Sequence, residues 1–318
     1  MERCSKLKVA HVVNKNAVCG YAEYARELDW ELKKEFESSI VEPGQEIGDV
    51  DVVIASYGST ETLGLTPHQT EEWRQQGKKV ILLHRESEGD LVENCTIPVK
   101  HFLGHVDSII THEPTNYSEF IPISFPAVVS LPDAELRLVI GSAGFYDTMK
   151  HFEDVVELAR RTGGNVNLSI AHYWRSDLSH VKRNIAEMKK KEVEGDWIEL
   201  VDWPVATVIR QLARSTINMF WHWPINPCSQ STSVGMAIAA KRPLIISPHR
   251  RFRVILEQYA DEVYVARTGD EAVGIVKEVW DAIKNGRPVR IPDRLYKAYN
   301  WETCGETYRK LIHKVIGR

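Results

Sequence analysis

Three consecutive hydroxyl residues, Ser231, Thr232 and Ser233, stand where a polar loop gives way to a helix of small residues. The first amides of a helix have no partner inside it and carry a partial positive charge, so this position can bind a phosphate. Small hydroxyl side chains would let the anion approach closely and would add hydrogen-bond donors. Taken alone, however, the same three residues are better explained as an ordinary Ser/Thr helix cap.

A histidine, His84, ends a short apolar segment that predicts a strand. Imidazole can donate a hydrogen bond to a hydroxyl group or exchange protons with it, although a lone histidine is also commonly structural. Ligands of parallel sheets bind beyond the carboxyl ends of the strands, and this position favours a functional role for His84. Arg85 or Glu86 beside it, and His112 with Glu113 after the next strand, are alternative candidates.

Two further candidates lie at predicted helix starts. Lys150 comes just before a helix, where its positive charge opposes the helix dipole, which favours a functional role over a solvated surface lysine. Gly20 opens the first helix, and a glycine there fits a phosphate or acceptor loop and equally a tight turn. The chain has no Gly-x-Gly-x-x-Gly pattern, which argues against a dinucleotide-dependent enzyme.

Apolar strands and amphipathic helices alternate along the chain and must position these residues. Strands that are apolar throughout, with helices between them, are typical of doubly wound parallel sheets covered on both faces. Prolines punctuate the segment 121–137, which predicts a linker between two such domains, with a cleft between them. The strands predicted before the linker are Leu7 to Val13, Val50 to Ser56, Lys79 to His84 and Ser108 to His112, and a helix is predicted from Tyr21 to Phe36. The strands predicted after it are Leu136 to Ser142, Val166 to Ala171, Trp197 to Val201, Ile217 to Trp221, Pro243 to Ser247 and Glu262 to Ala266.

Composition excludes several classes of protein. The 40 Lys and Arg residues against 44 Asp and Glu leave a net charge of −4, which gives no support to non-specific binding of a polyanion. Five cysteines without a Cys-x-x-Cys pair predict a reducing compartment, and the absence of a signal peptide or a long apolar run predicts a cytoplasmic protein without a membrane span. His222, Cys228 and His249 match no standard metal-binding spacing, so no metal is expected.

The segment from Ile217 to Ser247 resembles the donor-binding half of GT-B glycosyltransferases, especially the large retaining group. The shared pattern is a strand, a polar loop, a small-residue helix with Ala239-Ala240, then Pro243 and another strand. That family carries two glutamates that help to hold the donor sugar and its ribose. This chain has Cys228 and Met236 at those positions, which puts sugar recognition and the retaining stereochemistry in question.

Further segments extend the resemblance over nearly all of residues 135–318. The strand and glycine loop around Gly144, with Lys150, are similar to the family's diphosphate-binding segment, so the resemblance implies that Lys150 stabilises the departing nucleotide diphosphate. Trp203 stands where the family places the nucleobase, and either stacks on it or packs between domains. Tyr173 and Trp174 are lower-ranked candidates near the expected site, and the last helix, which contains Trp301, resembles the family's helix that crosses back to the first domain.

The resemblance implies a GT-B α/β fold with two Rossmann-like doubly wound domains facing a cleft. The predicted divisions are 1–134 on the acceptor side, 135–298 for the donor, and 299–318 as the returning helix. The expected activity is metal-independent transfer of a hexosyl or pentosyl group from a nucleotide-diphosphate sugar to an acceptor hydroxyl. Lys150, Gly144, Trp203 and residues 231–233 are expected to hold the donor, and His84 and Gly20 to face the acceptor.

Alternatives remain open at this point. The missing glutamates also fit a non-catalytic protein that binds a sugar nucleotide or a glycan, and a sugar-nucleotide epimerase or hydrolase could use the same fold. A glycan, a lipid-linked sugar, a small molecule, a protein or a nucleic acid such as a modified DNA base are all open as the acceptor, as is the oligomeric state.

Overall fold

The computed structural model describes residues 6–13, 20–57, 65–84, 99–112, 118–121, 124–125, 130–146, 150–171, 178–191, 193–200, 204–222 and 231–317. Within these ranges the chain forms two compact units. The first contains the described residues up to Ser124 and from Tyr299 onward, and the second contains those from Phe125 to Ala298.

The first unit is built on a six-stranded parallel sheet in the order β2-β1-β3-β4-β5-β6. Its central strands β3 and β4 are mainly apolar and almost wholly buried, as expected for a sheet covered on both faces. The strands are β1 Lys8–Val12, β2 Glu37–Val41, β3 Val52–Tyr57, β4 Lys79–His84, β5 Ser108–Thr111 and β6 Glu119–Phe120. The helices are α1 Gly20–Leu32, α2 Pro67–Gln75 and a short 3-10 helix Val99–Phe102, joined by α10 Trp301–Val315 from the end of the chain.

The sequence-based description of this unit missed both edge strands, the two-residue β6 and the longer β2. The predicted helix to Phe36 ends at Leu32, and Glu37–Val41 pairs with β1 instead. Only two of the five residues of β2 are apolar, and it lies at the sheet edge with Glu37 exposed. Such a strand lacks the apolar run that identified its neighbours, because only tertiary pairing holds it in place.

The second unit contains another six-stranded parallel sheet, in the order β12-β11-β10-β7-β8-β9. Its strands are β7 Val139–Phe145, β8 Asn165–Ala171, β9 Gly195–Leu200, β10 Ile217–Phe220, β11 Leu244–Ile246 and β12 Tyr264–Val265. Its helices are α3 Phe152–Thr162, α4 Leu178–Lys189, α5 Val205–Arg214, α6 Thr232–Ala239, a 3-10 turn Arg250–Phe252 leading into α7 Arg253–Gln258, α8 Gly269–Lys284 and α9 Asp293–Tyr299. The predicted strands are confirmed with shifted ends, and α9 was not predicted.

Numbered within each unit, the two strand orders are the two doubly wound patterns. The first sheet runs 2-1-3-4-5 with one added edge strand, and the second runs 3-2-1-4-5-6, the Rossmann order. In such sheets the strand order reverses at one point, and ligands bind beyond the carboxyl ends of the two strands that meet there. For the second sheet these two strands are β7 and β10.

The final helix α10 packs in the first unit, where it lies against α1. Trp301 at its start is buried, and its ring lies 4.6 Å from that of Tyr24. The Tyr308 hydroxyl lies 3.0 Å from the hydroxyl of Tyr24. The last residues of the chain therefore complete a core whose other buried members lie between Val9 and Ile121.

None of the described helices combines the length and the apolarity that crossing a bilayer requires.

Candidate functional site

The carboxyl ends of β7 and β10, where the strand order of the second sheet reverses, are followed by two buried basic side chains. Lys150 comes after β7, just before α3, and His222 follows β10. Several residues that the sequence suggested for donor binding therefore lie where doubly wound sheets bind their ligands.

Lys150 is a buried lysine, since only 9% of its surface is exposed. Its Nζ atom donates a hydrogen bond to Oγ of Ser233, at 3.2 Å, and lies 5.7 Å from the centre of the Phe145 ring. The alternative of a solvated lysine at a helix start is thus wrong. Taking an ammonium group out of water is costly, so its burial beside a helix start favours a site that accepts an anion.

The position of the Lys150 side chain requires a glycine at residue 144. Its φ of +153° lies in a region that side chains rarely adopt, and an added Cβ would lie 2.5 Å from Cδ of Lys150 and nearer still to its Nζ. A glycine at this point of β7 therefore lets the lysine fold back over the strand. Gly144, Lys150 and Ser233, each selected from the sequence, come together here.

The backbone just after Lys150 is unusual as well. His151 has a φ of 38° and a ψ of 54°, the left-handed conformation, at the position before the first residue of α3. Residues other than glycine adopt it rarely, and histidine more readily than most, at a cost of about 1–3 kcal/mol. The surrounding fold therefore holds His151, the residue after Lys150, in a backbone conformation that its own preference disfavours.

The start of α6 forms the other side of the site. Ser231 is the N-cap residue, but its side chain makes no capping hydrogen bond, so the ordinary cap suggested by the sequence is not formed by that hydroxyl. Ser231 and Thr232 are partly exposed, whereas Ser233 is buried with its Oγ accepting from Lys150. The Ser231 hydroxyl therefore does not occupy the first amides of α6, whose partial positive charge attracts anions.

His222 is a further residue of this region that the sequence analysis set aside together with the metal hypothesis. It is 3% exposed, and its backbone is fixed by Ser247, whose Oγ accepts from the His222 amide and donates to the His222 carbonyl, both at 2.9 Å. Its ring lies 5.8 Å from that of His249 and 5.1 Å, edge on, from that of Phe252. The signal available in the sequence was its position directly after a buried strand.

The charge state of His222 is set by its surroundings. Burial, followed by the nearby charge of Lys150, lowers the pKa of His222 well below its usual value. Burial also lowers the pKa of His249, and Arg251 adds to the effect. Both imidazoles are therefore neutral at neutral pH in the ligand-free protein.

In the first unit, His84 lies at the end of β4 with 5% of its surface exposed. Burial lowers the pKa of His84 to about 4, so the ring is neutral at physiological pH. Its Nδ1 finds no hydrogen-bond partner among the described residues, and the Tyr57 ring lies 6.0 Å away. A neutral imidazole of this kind can accept a proton or a hydrogen bond from a hydroxyl.

The remaining candidates divide into two groups. Gly20 is the first residue of α1, as expected. His112 is buried in the first unit, and its Nδ1 lies 2.5 Å from the carbonyl oxygen of Ile121, which is a structural contact. Outside the described residues lie Trp203, Tyr173, Trp174, Arg85, Glu86, Glu113 and Cys228. Across the described ranges, no three His, Cys, Asp or Glu side chains group as metal ligands would.

Neither a protein-family model nor a curated protein sequence matches the chain. Solved structures do match it over almost its full length. A glycosyltransferase from Rickettsia africae superimposes with a TM-score of 0.68 at 10% identity, covering 98% of this chain and 99% of the other. HepE from Anabaena, in complex with UDP and glucose, gives a TM-score of 0.66 at 8% identity, covering 97% and 100%.

A third similar structure is an alpha-glucosyltransferase in complex with UDP and a 13-mer DNA containing an HMU base. Its TM-score is 0.62 at 10% identity, with 99% of this chain and 100% of that chain covered. Identities this low establish a common architecture and no more. Together with the two parallel sheets and their strand orders, they show that the chain has the two-domain, Rossmann-like GT-B fold of these glycosyltransferases.

Proposed function

We propose that this chain is a glycosyltransferase that moves a sugar from a nucleotide-diphosphate sugar to an acceptor hydroxyl without a metal ion. The observation that carries the proposal is the buried Lys150 ammonium, hydrogen-bonded to Ser233 at the start of α6, where the strand order of the second sheet reverses. The Lys150 ammonium offers a positive charge to a diphosphate, and the start of α6 offers backbone N–H donors. Both would stabilise the diphosphate as it leaves the sugar.

The remaining assignments are those that the family resemblance implies. The nucleobase lies near Trp203, and residues 231–233 with Gly144 and Lys150 hold the diphosphate. His84 and Gly20 serve the acceptor, with neutral His84 able to hydrogen-bond its hydroxyl. The domain divisions are proposed at 134 and 298; the compact units divide after Ser124, within the predicted linker 121–137, and after Ala298.

The donor base is proposed to be uracil, because UDP is bound in the Anabaena HepE structure and in the DNA-bound glucosyltransferase. A hydroxylated DNA base is one acceptor class that this fold accommodates, since the latter structure contains DNA with an HMU base. The net charge of −4 gives no general attraction to a polyanion, so glycan, lipid-linked and small-molecule acceptors stand beside it.

The test begins with the thermal stability of the protein in the presence of UDP, GDP, ADP and TDP. A nucleotide present at 100 times its Kd raises the free energy of unfolding by about 2.7 kcal/mol, so the preferred base gives the largest rise in Tm. Lys150→Met should abolish that rise while leaving the protein folded, because methionine fills the same buried space without a charge. Lys189→Met on α4, where the side chain is 45% exposed, is the matched control and should keep the rise.

Turnover is measured next, with the preferred nucleotide sugar and a panel of acceptors, as released nucleotide and as glycosylated product. Product formation that falls at least a hundredfold in Lys150→Met supports the proposal. No nucleotide binding, or unchanged turnover in Lys150→Met, contradicts it.

One observation favours a second candidate, a protein that binds a sugar nucleotide without turnover. Met236 stands at a position of a family glutamate and is buried on α6, 2% exposed, where it offers no hydrogen-bond acceptor to a sugar. Nucleotide-sugar binding without product across the acceptor panel would favour this candidate. Release of free sugar instead would indicate a hydrolase.

A further inference from the structure

The imidazole of His222 is a buried polar group without a partner. Both Nδ1 and Nε2 are shielded from solvent and find no hydrogen-bond partner among the described residues. Leaving one such atom unsatisfied costs about 1–3 kcal/mol, and two hydrogen bonds to Ser247 hold the backbone of the residue in place. A side chain kept at this cost, at the carboxyl end of β10, indicates that a ligand supplies the missing contact.

The groups around this ring are basic. Those that act electrostatically on His222 are Lys150 after β7, His151 before α3, and His249 and Arg251 after β11. Burial, and after it the positive charge of Lys150, keeps the ring of His222 neutral. A bound anion would offset the nearby positive charge and would accept a hydrogen bond from a ring N–H. Both effects would raise the pKa of His222.

We propose that His222 takes up one proton from solvent when the diphosphate of a nucleotide sugar binds beside Lys150, and that the imidazolium then donates a hydrogen bond to the diphosphate. The proposal rests on the proposed function, because it requires the same diphosphate at the start of α6. It gives His222 a role in binding that no comparison assigns. The positive charge needed to hold the diphosphate is thus completed only when the donor is present.

The proton is assigned to His222 rather than to its neighbours for geometric reasons. Nδ1 of His249 accepts the backbone N–H of Arg251 at 3.1 Å, and protonation at Nδ1 would break that bond. The side chain of His151 is 29% exposed, and its Nδ1 lies 3.5 Å from a carboxylate oxygen of Asp154. Solvent and this carboxylate already offer contacts to the His151 ring without a bound ligand. His222 alone of the three has two buried nitrogens without a described partner.

Calorimetry of the full-length protein with UDP-glucose tests the coupling. Both phosphates of UDP-glucose are esterified and carry no proton that titrates near neutrality, unlike a phosphate monoester with its second pKa of about 6. Titrations at pH 7 in two buffers of different ionisation enthalpy therefore count the protons taken up by the protein. We expect uptake of more than half a proton per UDP-glucose, and a Kd that weakens by up to about tenfold per pH unit between the pKa of the free ring and the higher pKa of the bound ring, and that levels off above the latter.

The variants His222→Gln and His222→Asn should bind UDP-glucose more weakly, with no proton uptake and a flat dependence of Kd on pH. His249→Asn is the matched control in the same cluster and should retain the uptake. Thermal unfolding shows which variants are folded. In parallel, ¹⁵N resonances of the His222 ring should change from the neutral to the protonated pattern on addition of UDP-glucose to the wild-type protein.

The outcomes separate the two proposals. Binding of UDP-glucose with no proton uptake, or with equal uptake in His222→Gln, overturns the role of His222 and leaves the proposed function standing. If UDP-glucose, ADP-glucose and GDP-mannose all fail to bind the wild-type protein, the proposed function is wrong and the coupling falls with it.

Discussion

Nζ of Lys150 donates a hydrogen bond to Oγ of Ser233 at 3.2 Å, although the two residues are 83 positions apart in the chain. The bond connects the segment after β7 with the start of α6, the two elements from which the site is proposed to bind a diphosphate. Its geometry depends on Gly144, over which the lysine folds. Each of these three residues can be changed separately.

Gly144→Ala should displace Lys150, because the new methyl group would overlap the lysine side chain in a backbone conformation that alanine disfavours. We expect a loss of nucleotide affinity of at least tenfold and a lower Tm. Gly274→Ala on α8 is the control, since its Cβ would meet nothing within 4 Å, and it should raise the free energy of unfolding by about 0.4–1 kcal/mol. Equal nucleotide binding in Gly144→Ala would show that Lys150 does not need this position.

Removing the side-chain hydroxyl at Ser231, Ser233 or Thr268, all near helix starts, should change the free energy of unfolding by different amounts. Ser233→Ala should lower the free energy of unfolding by about 1–3 kcal/mol, because it takes a hydrogen-bond acceptor from the buried Lys150 ammonium. Ser231→Ala should change it by less than about 0.5 kcal/mol, since that side chain makes no capping bond. Thr268→Ala, which removes the 3.1 Å cap to the Glu271 amide, should cost about 1 kcal/mol. Urea unfolding measures all three, and a large loss in Ser231→Ala would mean that its hydroxyl stabilises the helix.

His84 should make the stability of the protein depend on pH. Its folded pKa of about 4 lies below the unfolded value of 6.5, so at pH between these values the unfolded state binds a proton that the folded state does not. The free energy of unfolding is therefore highest above pH 6.5 and falls as the pH drops toward 4, by at most about 3 kcal/mol from this residue. Urea unfolding between pH 7.5 and 5 should show a shallower fall in His84→Asn than in the wild type.

The control for that comparison is His68→Asn, whose side chain is 84% exposed on α2 and should leave the pH profile of the wild type unchanged. If His84→Asn retained the full wild-type slope, the buried neutral ring assigned to His84 would be wrong. The same variant should lower the turnover number more than it changes the KM for the nucleotide sugar, because His84 is assigned to the acceptor.

Trp301→Ala should destabilise the first unit by about 3–5 kcal/mol, because it empties a buried site where α10 packs on α1. Hydrogen exchange of amides in β1, β3 and β4 reports the local free energy of opening. Trp30→Ala is the matched control, since that side chain is 69% exposed on α1 and its loss should change stability by no more than about 0.5 kcal/mol. Unchanged protection in Trp301→Ala would mean that α10 adds little to this core.

The sequence by itself determined the α/β class and the positions of most strands. Apolar runs such as Val80-Ile81-Leu82-Leu83 can be satisfied only by burial on both faces, so their pattern identifies a parallel sheet without knowledge of its partners. It also made Lys150 and Ser233 candidates for donor binding, through the helix-start chemistry and the family resemblance, and that role stays a prediction. The edge strand Glu37–Val41 was not predicted, because its polar residues form a strand through pairing with β1 and not through an intrinsic preference for strand structure.

Tertiary structure alone decided the burial of Lys150 and His222. A sequence does not reveal whether a basic side chain is exposed, since the desolvation that fixes its cost and charge comes from residues distant in the chain. The strand order was decided in the same way: only the pairing of β7 with β10 brings Lys150 and His222 to one edge of the sheet. A group of long-range contacts thus brought basic residues from distant parts of the chain together beside the start of α6, where we propose that an anion binds.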